Sequence, residues 1–374
     1  MGRSMAALVV ILRWVTATPF GPAWEDLSLH SLRRFLETAI DESLTWEAKG
    51  RDIRPQLVRK CVTAFANSTL GGFLVLGASF DRAARTWSLD GWQPPTEPIL
   101  WVTGCLANGG VTPLPSTDAR AWPVGEGRFV AVVMVRPVAV PPAITSSGEV
   151  YERLSSASVP VTNSSSLRRL FERGEAALAR SARASEDGRH DLSASPPAGR
   201  QCKLVVSLAS AALPGDAAAL VFRDSLYRAM MTELNGPLAN QPAPFNRLDT
   251  DVSQHALSVW NMGFSEDEGY AIRIGRHGSV AISQSANDID SGLRLMADSV
   301  DALRPLWGAA MRLLAMLTPA GPVHAAMRFY DNRQGDTDMS RWTDLAGPWD
   351  DMLESILREA RRALGRTQWE PESP

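Results

Sequence analysis

The residues of this chain best suited to chemistry are two carboxylates and an amine, Glu42, Glu47 and Lys49, in the run Glu42-Ser-Leu-Thr-Trp-Glu47-Ala-Lys49. About twenty residues on comes Ala64-Phe-Ala-Asn67-Ser-Thr-Leu-Gly71-Gly72-Phe-Leu-Val-Leu-Gly77, an asparagine and a glycine pair leading into an apolar run. Same-face neighbours sit three or four apart on a helix and two apart on a strand, so glutamates five apart share neither kind of face. The spacing predicts a turn entering a strand, with Glu47 and Lys49 on one side of it and Glu42 curling back from the loop before. Two carboxylates brought together at neutral pH repel each other and attract a cation.

The order Glu-x4-Glu-x-Lys, then Ala-Phe-Ala-Asn, then Gly-Gly, an apolar run and Gly resembles the Schlafen AlbA-like domain family. That family once carried a DNA-binding label, and several members are metal-dependent RNA nucleases. Phe129-Val-Ala-Val-Val-Met-Val135 with Pro137 and Pro141-Pro142 looks like the family's central strand and its proline-rich exit. Val150-Tyr151-Glu152-Arg153 with Ser155-Ser156 resembles its tyrosine and arginine segment. The likeness covers roughly residues 24–173, a little under half of the chain.

The resemblance implies metal-assisted phosphodiester cleavage. Glu42 and Glu47 match the family's glutamate positions, and Asp81, the nearest acid after Gly77-Ala-Ser-Phe, is the candidate third ligand, with Asp90 behind it. Hard oxygen ligands favour Mg2+ or Mn2+ over zinc. Lys49, on the strand face of Glu47, would balance charge developing on the phosphate. Structured RNA such as tRNA is the expected substrate, in stress or phage defence, with the C-terminal domain sensing a protein trigger. The competing expectation is a non-catalytic nucleic-acid-binding or regulatory protein. Leu70-Gly71-Gly72 raises nucleotide binding as a third, but neither the Walker lysine pattern nor G-x-G-x-x-G is present.

Charge allows a nucleic-acid surface only as a local patch. The net charge is -3; up to residue 175 there are 18 basic and 16 acidic residues, near +2, and beyond it 20 and 25, near -5. Candidate contacts are Arg51, Arg54, Arg59 and Lys60 on the helix after the first strand, then Tyr151, Arg153, Arg168 and Arg169. Several of the 12 tryptophans fall in the first half, as core anchors or as stacking platforms. Three scattered cysteines, Cys61, Cys105 and Cys202, argue for a reducing cytoplasm and against a disulfide frame or zinc. The apolar run Met5 to Ile11 is too short to span a bilayer. No membrane partner is expected, and a homodimer is left open.

Positioning these residues takes an α+β fold, a mixed sheet with helices, read as covered on one side. Helices are expected over Leu27 to Ala39, Pro55 to Ala66 and Ile99 to Ala107, and strands over Phe73 to Ala78, Trp87 to Trp92 and Phe129 to Val135, with a polar turn over Phe80 to Thr86. The domains read as an extension (1–23), the Schlafen AlbA-like domain (24–173), an exposed linker (174–200) with a helix left open for its first half, and a C-terminal α/β or α+β domain of unknown family (201–374). In that last part, Cys202 to Ala212 and His324 to Tyr330 read as strands and Tyr270 to Ser283 as a hairpin. Leu220 to Leu234, Leu293 to Leu317 and Trp349 to Leu364 read as helices.

Overall fold

A computed structural model describes residues 18–107, 110–193, 202–212, 249–252, 256–262, 269–275, 277–286, 307–314, 321–331, 335–344, 351, 353–355 and 358. The fold is α+β, in two units, Met1–Glu175 and Ala176–Pro374.

The first unit opens with a 3-10 turn, Trp24–Asp26, and helix α1 (Leu29–Thr38), which starts two residues later than the acidic pair suggests. Ser28 and Ser31 exchange side-chain and backbone hydrogen bonds there in a capping box, which outcompetes the weaker pull of acids near a helix start. Strand β1 (Trp46–Lys49) leads through helix α2 (Pro55–Asn67) to β2 (Gly72–Leu76). Then come the small hairpin β3 (Ser79–Asp81) and β4 (Thr86–Ser88), helix α3 (Pro98–Leu106), β5 (Val111–Thr112), β6 (Thr117–Gly125) and β7 (Arg128–Val135). Strands β8 (Ile144–Thr145), β9 (Tyr151–Leu154) and β10 (Ala157–Pro160) precede the long helix α4 (Ser164–Ser193).

The main sheet runs β1-β2-β7-β6, with β1 parallel to β2 across α2 and the other pairs antiparallel. Phe73 to Leu76 and Val130 to Val135 are buried on both faces, which is why they read as continuous apolar runs. One face packs Leu74, Leu76, Ala131 and Val133 under α2 and α3. The other packs Phe73, Val75, Val130 and Val132 under α1 and the segment with Phe20 and Trp24. The expectation of a sheet covered on one side is therefore corrected. The segment before Leu27 supplies the second lid, and its aromatics carry no periodicity to announce it.

Gly71 and Gly72 serve this packing. Gly71 has φ +69°, and a Cβ there would stand 2.3 Å from the Val135 carbonyl oxygen; one on Gly72 would stand 2.1 Å from the Phe65 ring. Asn67, buried at the end of α2, ties loop and hairpin together, donating to the Ala143 and Tyr151 carbonyls at 2.9 Å each and accepting from the Ala143 N–H at 2.6 Å.

The second unit holds a seven-stranded antiparallel sheet of β11 (Cys202–Ser210), β12 (Asp249–Val252), β13 (Ala256–Met262), β14 (Gly269–Gly275), β15 (Val280–Ala286), β16 (Pro322–Asp331) and β17 (Gly335–Asp344). Its order is β12-β13-β14-β15-β11-β16-β17. The hairpin around His277-Gly278 is present as β14 and β15. The helix left open for the first half of the expected linker is present, as α4 continues through Ser193; the expectation of an exposed connection is corrected there, because Ala177, Ser181, Ala184 and Ser185 are buried. Ser181 donates to the Ala209 carbonyl at 2.6 Å and Ser185 shares a 2.5 Å hydrogen bond with His324. Of the expected helices, 307–314 is helical, as are 351, 353–355 and 358; Leu220 to Leu234, like residues 1–17, lies outside the described residues.

Candidate functional site

Strand parity places Glu47 and Lys49 on the α2 side of β1, opposite Leu74 and Leu76 of β2 in register. Glu47 is buried at 3% exposure, and both of its oxygens are engaged. Oε1 meets Lys49 Nζ at 2.6 Å; Oε2 accepts from Ser158 Oγ at 2.6 Å and from Arg153 Nη1. Arg153 also donates to the Ser43 carbonyl and, at 3.1 Å, to that of Trp46. Its guanidinium lies 4.8 Å from the centre of the Phe65 ring. Residues 153 and 158 are partners in the β9–β10 hairpin, so the network clamps that hairpin onto β1.

Burial alone would raise the pKa of Glu47, but Lys49, Ser158 and Arg153 outweigh it and hold the carboxyl below its ordinary value. Burial likewise opposes the charge on Lys49, and Glu47 overcomes it, leaving the amine above its ordinary value. Glu42 is half-buried and accepts the Ala48 N–H at 2.8 Å, the curling-back expected from its spacing. Burial raises its pKa, aided by the charge of Glu47 and only partly offset by the Ala48 N–H and Lys49. Beside them, the Cys61 thiol is pushed up to about 12 by burial and by Glu47.

Asp81 does not join this group. It sits exposed at the tip of the β3–β4 hairpin, where its Oδ1 accepts the N–H groups of Ala83 and Ala84 at 2.8 and 3.1 Å. A short polar side chain at a turn finds backbone donors within reach and is used up by them. Asp90 pairs with Arg51 at 3.6 Å. Among the described residues no group of three or more His, Cys, Asp or Glu could hold a metal ion. The donor set does not fit a divalent cation as it stands, because the positions where Mg2+ or Mn2+ would neutralise Glu47 are taken by Lys49 and Arg153.

The expected nucleic-acid contacts divide. Arg153, with a side chain 1% exposed and paired to Glu47, is a structural cation and not a surface contact. Arg169 is held by Glu152 at 2.7 Å, which dissolves the patch expected near the end of the domain; Arg168 is exposed. Arg51 is exposed but paired with Asp90. Arg54, Arg59, Lys60 and Tyr151, in contrast, converge on one cleft of about 610 Å³ between the start of α2 and the β8–β9 segment.

Arg59 is braced by the Cys105 carbonyl at 2.7 Å and Ser146 Oγ at 3.3 Å. Lys60 Nζ lies 5.7 Å from the centre of the Tyr151 ring. Helix α2 opens at Arg54 and Pro55 with no side-chain cap; Pro55 has no N–H, and the Leu57 and Val58 N–H groups are bonded to the Arg54 carbonyl at 3.0 and 3.2 Å. Burial raises the Tyr151 pKa, and the nearby Glu149 carboxylate adds to it. Asp52 and Glu149 supply two carboxylates to the lining and Thr145, Ser146 and Ser147 its hydroxyls. Sequence reasoning passed over these five and Ser158. The run of small hydroxyl residues just before Tyr151 was the available signal for the cleft, and Ser158 had none.

Comparison with known proteins adds no family to the resemblance in the motifs. No family model matches the chain, and no curated protein matches it. A solved structure of the DIP2311 protein from Corynebacterium diphtheriae is similar in part, at 17% identity and a TM-score of 0.25, over 39% of this chain and 30% of that one. This chain thus spans less than a third of that protein's length, and a likeness so low carries neither fold nor function. No helix among the described residues is long and apolar enough to cross a membrane.

Proposed function

We propose that the first unit is a nucleic-acid-binding module, with RNA as the favoured partner, and that it binds at the cleft rather than at Glu47. One observation carries this: three cations, Arg54, Arg59 and Lys60, gather in a concave site against two carboxylates, and none of the three is in a salt bridge among the described residues. Such cations take phosphate oxygens. Ser146, Ser147 and Glu149 add partners for a 2′-hydroxyl, the group that separates RNA from DNA. The metal-dependent nuclease is the weaker reading, since its central carboxylate is already neutralised inside the protein.

Anisotropy of a labelled RNA across a salt series tests the proposal. Three phosphate contacts predict log affinity falling against log salt with a slope of about -2, at about 0.7 per contact on single strands. Lys60→Gln should lower the slope by about 0.7. Affinity that ignores both salt and Lys60 overturns it. RNA cut in Mg2+ or Mn2+ by the wild type, and not by Glu47→Gln, restores the nuclease.

A further inference from the structure

We infer that the cleft takes unpaired nucleotides, with one base stacked on Tyr151, and excludes duplex; the inference rests on the nucleic-acid reading above and narrows it. Shape is the first argument. A volume of about 610 Å³ is that of a small-molecule site, enough for a splayed nucleotide. A duplex keeps its bases stacked inside and offers a convex, phosphate-lined surface, so it can touch the rim but cannot fill the concavity.

The lining is the second argument. Tyr151 is the aromatic residue of the lining and is carried by strand β9. The strand is anchored at that residue, since the Tyr151 carbonyl accepts from Asn67 at 2.9 Å. A ring carried on an anchored backbone is a better stacking platform than one on a mobile loop, because less backbone freedom is lost on binding. Lys60 Nζ sits over one face of the ring, 5.7 Å from its centre, and its flexible stem lets the ammonium turn to a phosphate when a base takes that face. Arg59, braced by Cys105 and Ser146, stands ready for the next phosphate along the strand. Ring, ammonium and guanidinium together suit a short stretch of single strand.

The test uses the full chain and anisotropy with one labelled 12-nucleotide RNA, free or annealed to its complement, at the same salt. The single strand should bind at least tenfold tighter. Tyr151→Leu, which keeps bulk and loses the π face, should weaken single-strand binding by about 5- to 100-fold, the equivalent of one lost stack. Duplex binding should not change, and Tyr151→Phe should bind like the wild type. Equal or tighter duplex binding overturns the inference while leaving nucleic-acid binding in place. Failure of both RNAs to bind removes both. If Tyr151→Leu does not fold, the wild-type comparison of the two RNAs still decides.

Discussion

Helix α2 and strand β9 place a cation beside an aromatic ring twice, once at each end of their contact, with opposite results. At the closed end the ring is on the helix and the cation on the strand: Phe65 lies 4.8 Å from Arg153, which is sealed against Glu47. At the open end the cation is on the helix and the ring on the strand: Lys60 lies 5.7 Å from Tyr151, beside a cleft. The pairing of side-chain types therefore says little about role. What separates the ends is whether the cation has found a carboxylate. Arg153 has Glu47 and is fixed; Lys60 has no such partner among the described residues and can take one from a ligand.

Breaking the closed end should have the largest effect. Removing one partner of a buried ion pair leaves the other charge stranded, so Arg153→Met should destabilise the first unit by about 3–5 kcal/mol in urea unfolding. Replacing both in Glu47→Leu with Arg153→Met should recover part of that and no more, because Lys49 and Ser158 lose their own partner in Glu47. A metal-holding Glu47 would behave otherwise: the single Arg153→Met variant would stay stable and gain stability from added Mg2+ or Mn2+.

The pH profile of stability sharpens the same contrast. The unfolded chain holds the Glu47 proton more tightly than the folded one, so its contribution is complete above the ordinary value of 4.5 and is lost as pH falls through the lower folded value. Lys49 has the opposite sign. Its contribution is complete below 10.5 and is lost as pH rises through the higher folded value. Urea midpoints in Glu47→Gln should accordingly lose part of the wild-type acid limb. An acid limb identical in the two proteins would place the depressed carboxyl elsewhere.

Much of the closed end was legible in the sequence, and its closure was not. The parity of Glu47 and Lys49, the return of Glu42, and the apolar runs of β2 and β7 follow from local spacing. The partner of Glu47 lies 106 residues away on a hairpin whose register no local pattern reports, so Arg153 read as a surface contact. Asp81 failed for a different reason. Nearness in sequence placed it beside the glutamates, while the turn it caps points it to its own backbone. In α4 the small residues Ala177, Ser181, Ala184, Ser185 and Gly188 read as an exposed connection with a helix left open, and their spacing of three or four is that of a helix face that packs. A Cβ on Gly188 would stand 2.5 Å from Ser207 Oγ, so there small size means close approach rather than freedom.

At the open end, Lys60→Gln should leave stability within about 0.5 kcal/mol of the wild type, as expected for a substitution that breaks no buried pair. The same variant should bind RNA more weakly. If its urea midpoint fell as far as that of Arg153→Met, Lys60 would be a structural cation too, and the two ends would not differ in kind.

The smallest effect should have the opposite sign. Burial raises the pKa of Glu42, which means that its charge is less favourable in the folded protein than in the unfolded chain. Above that raised value the charge costs stability, and below 4.5 the cost is gone, because the carboxyl is protonated in both states. Gln at this position keeps an oxygen able to accept the Ala48 N–H, now made at 2.8 Å, while removing the repulsion from Glu47. Glu42→Gln should therefore gain on the order of 0.5 kcal/mol at neutral pH, and the gain should vanish in acid. A metal shared by Glu42 and Glu47 predicts the reverse in Mg2+ or Mn2+, where losing a ligand charge would cost stability. Urea midpoints of Glu42→Gln and wild type at neutral and acid pH, with and without the cation, separate the two by sign.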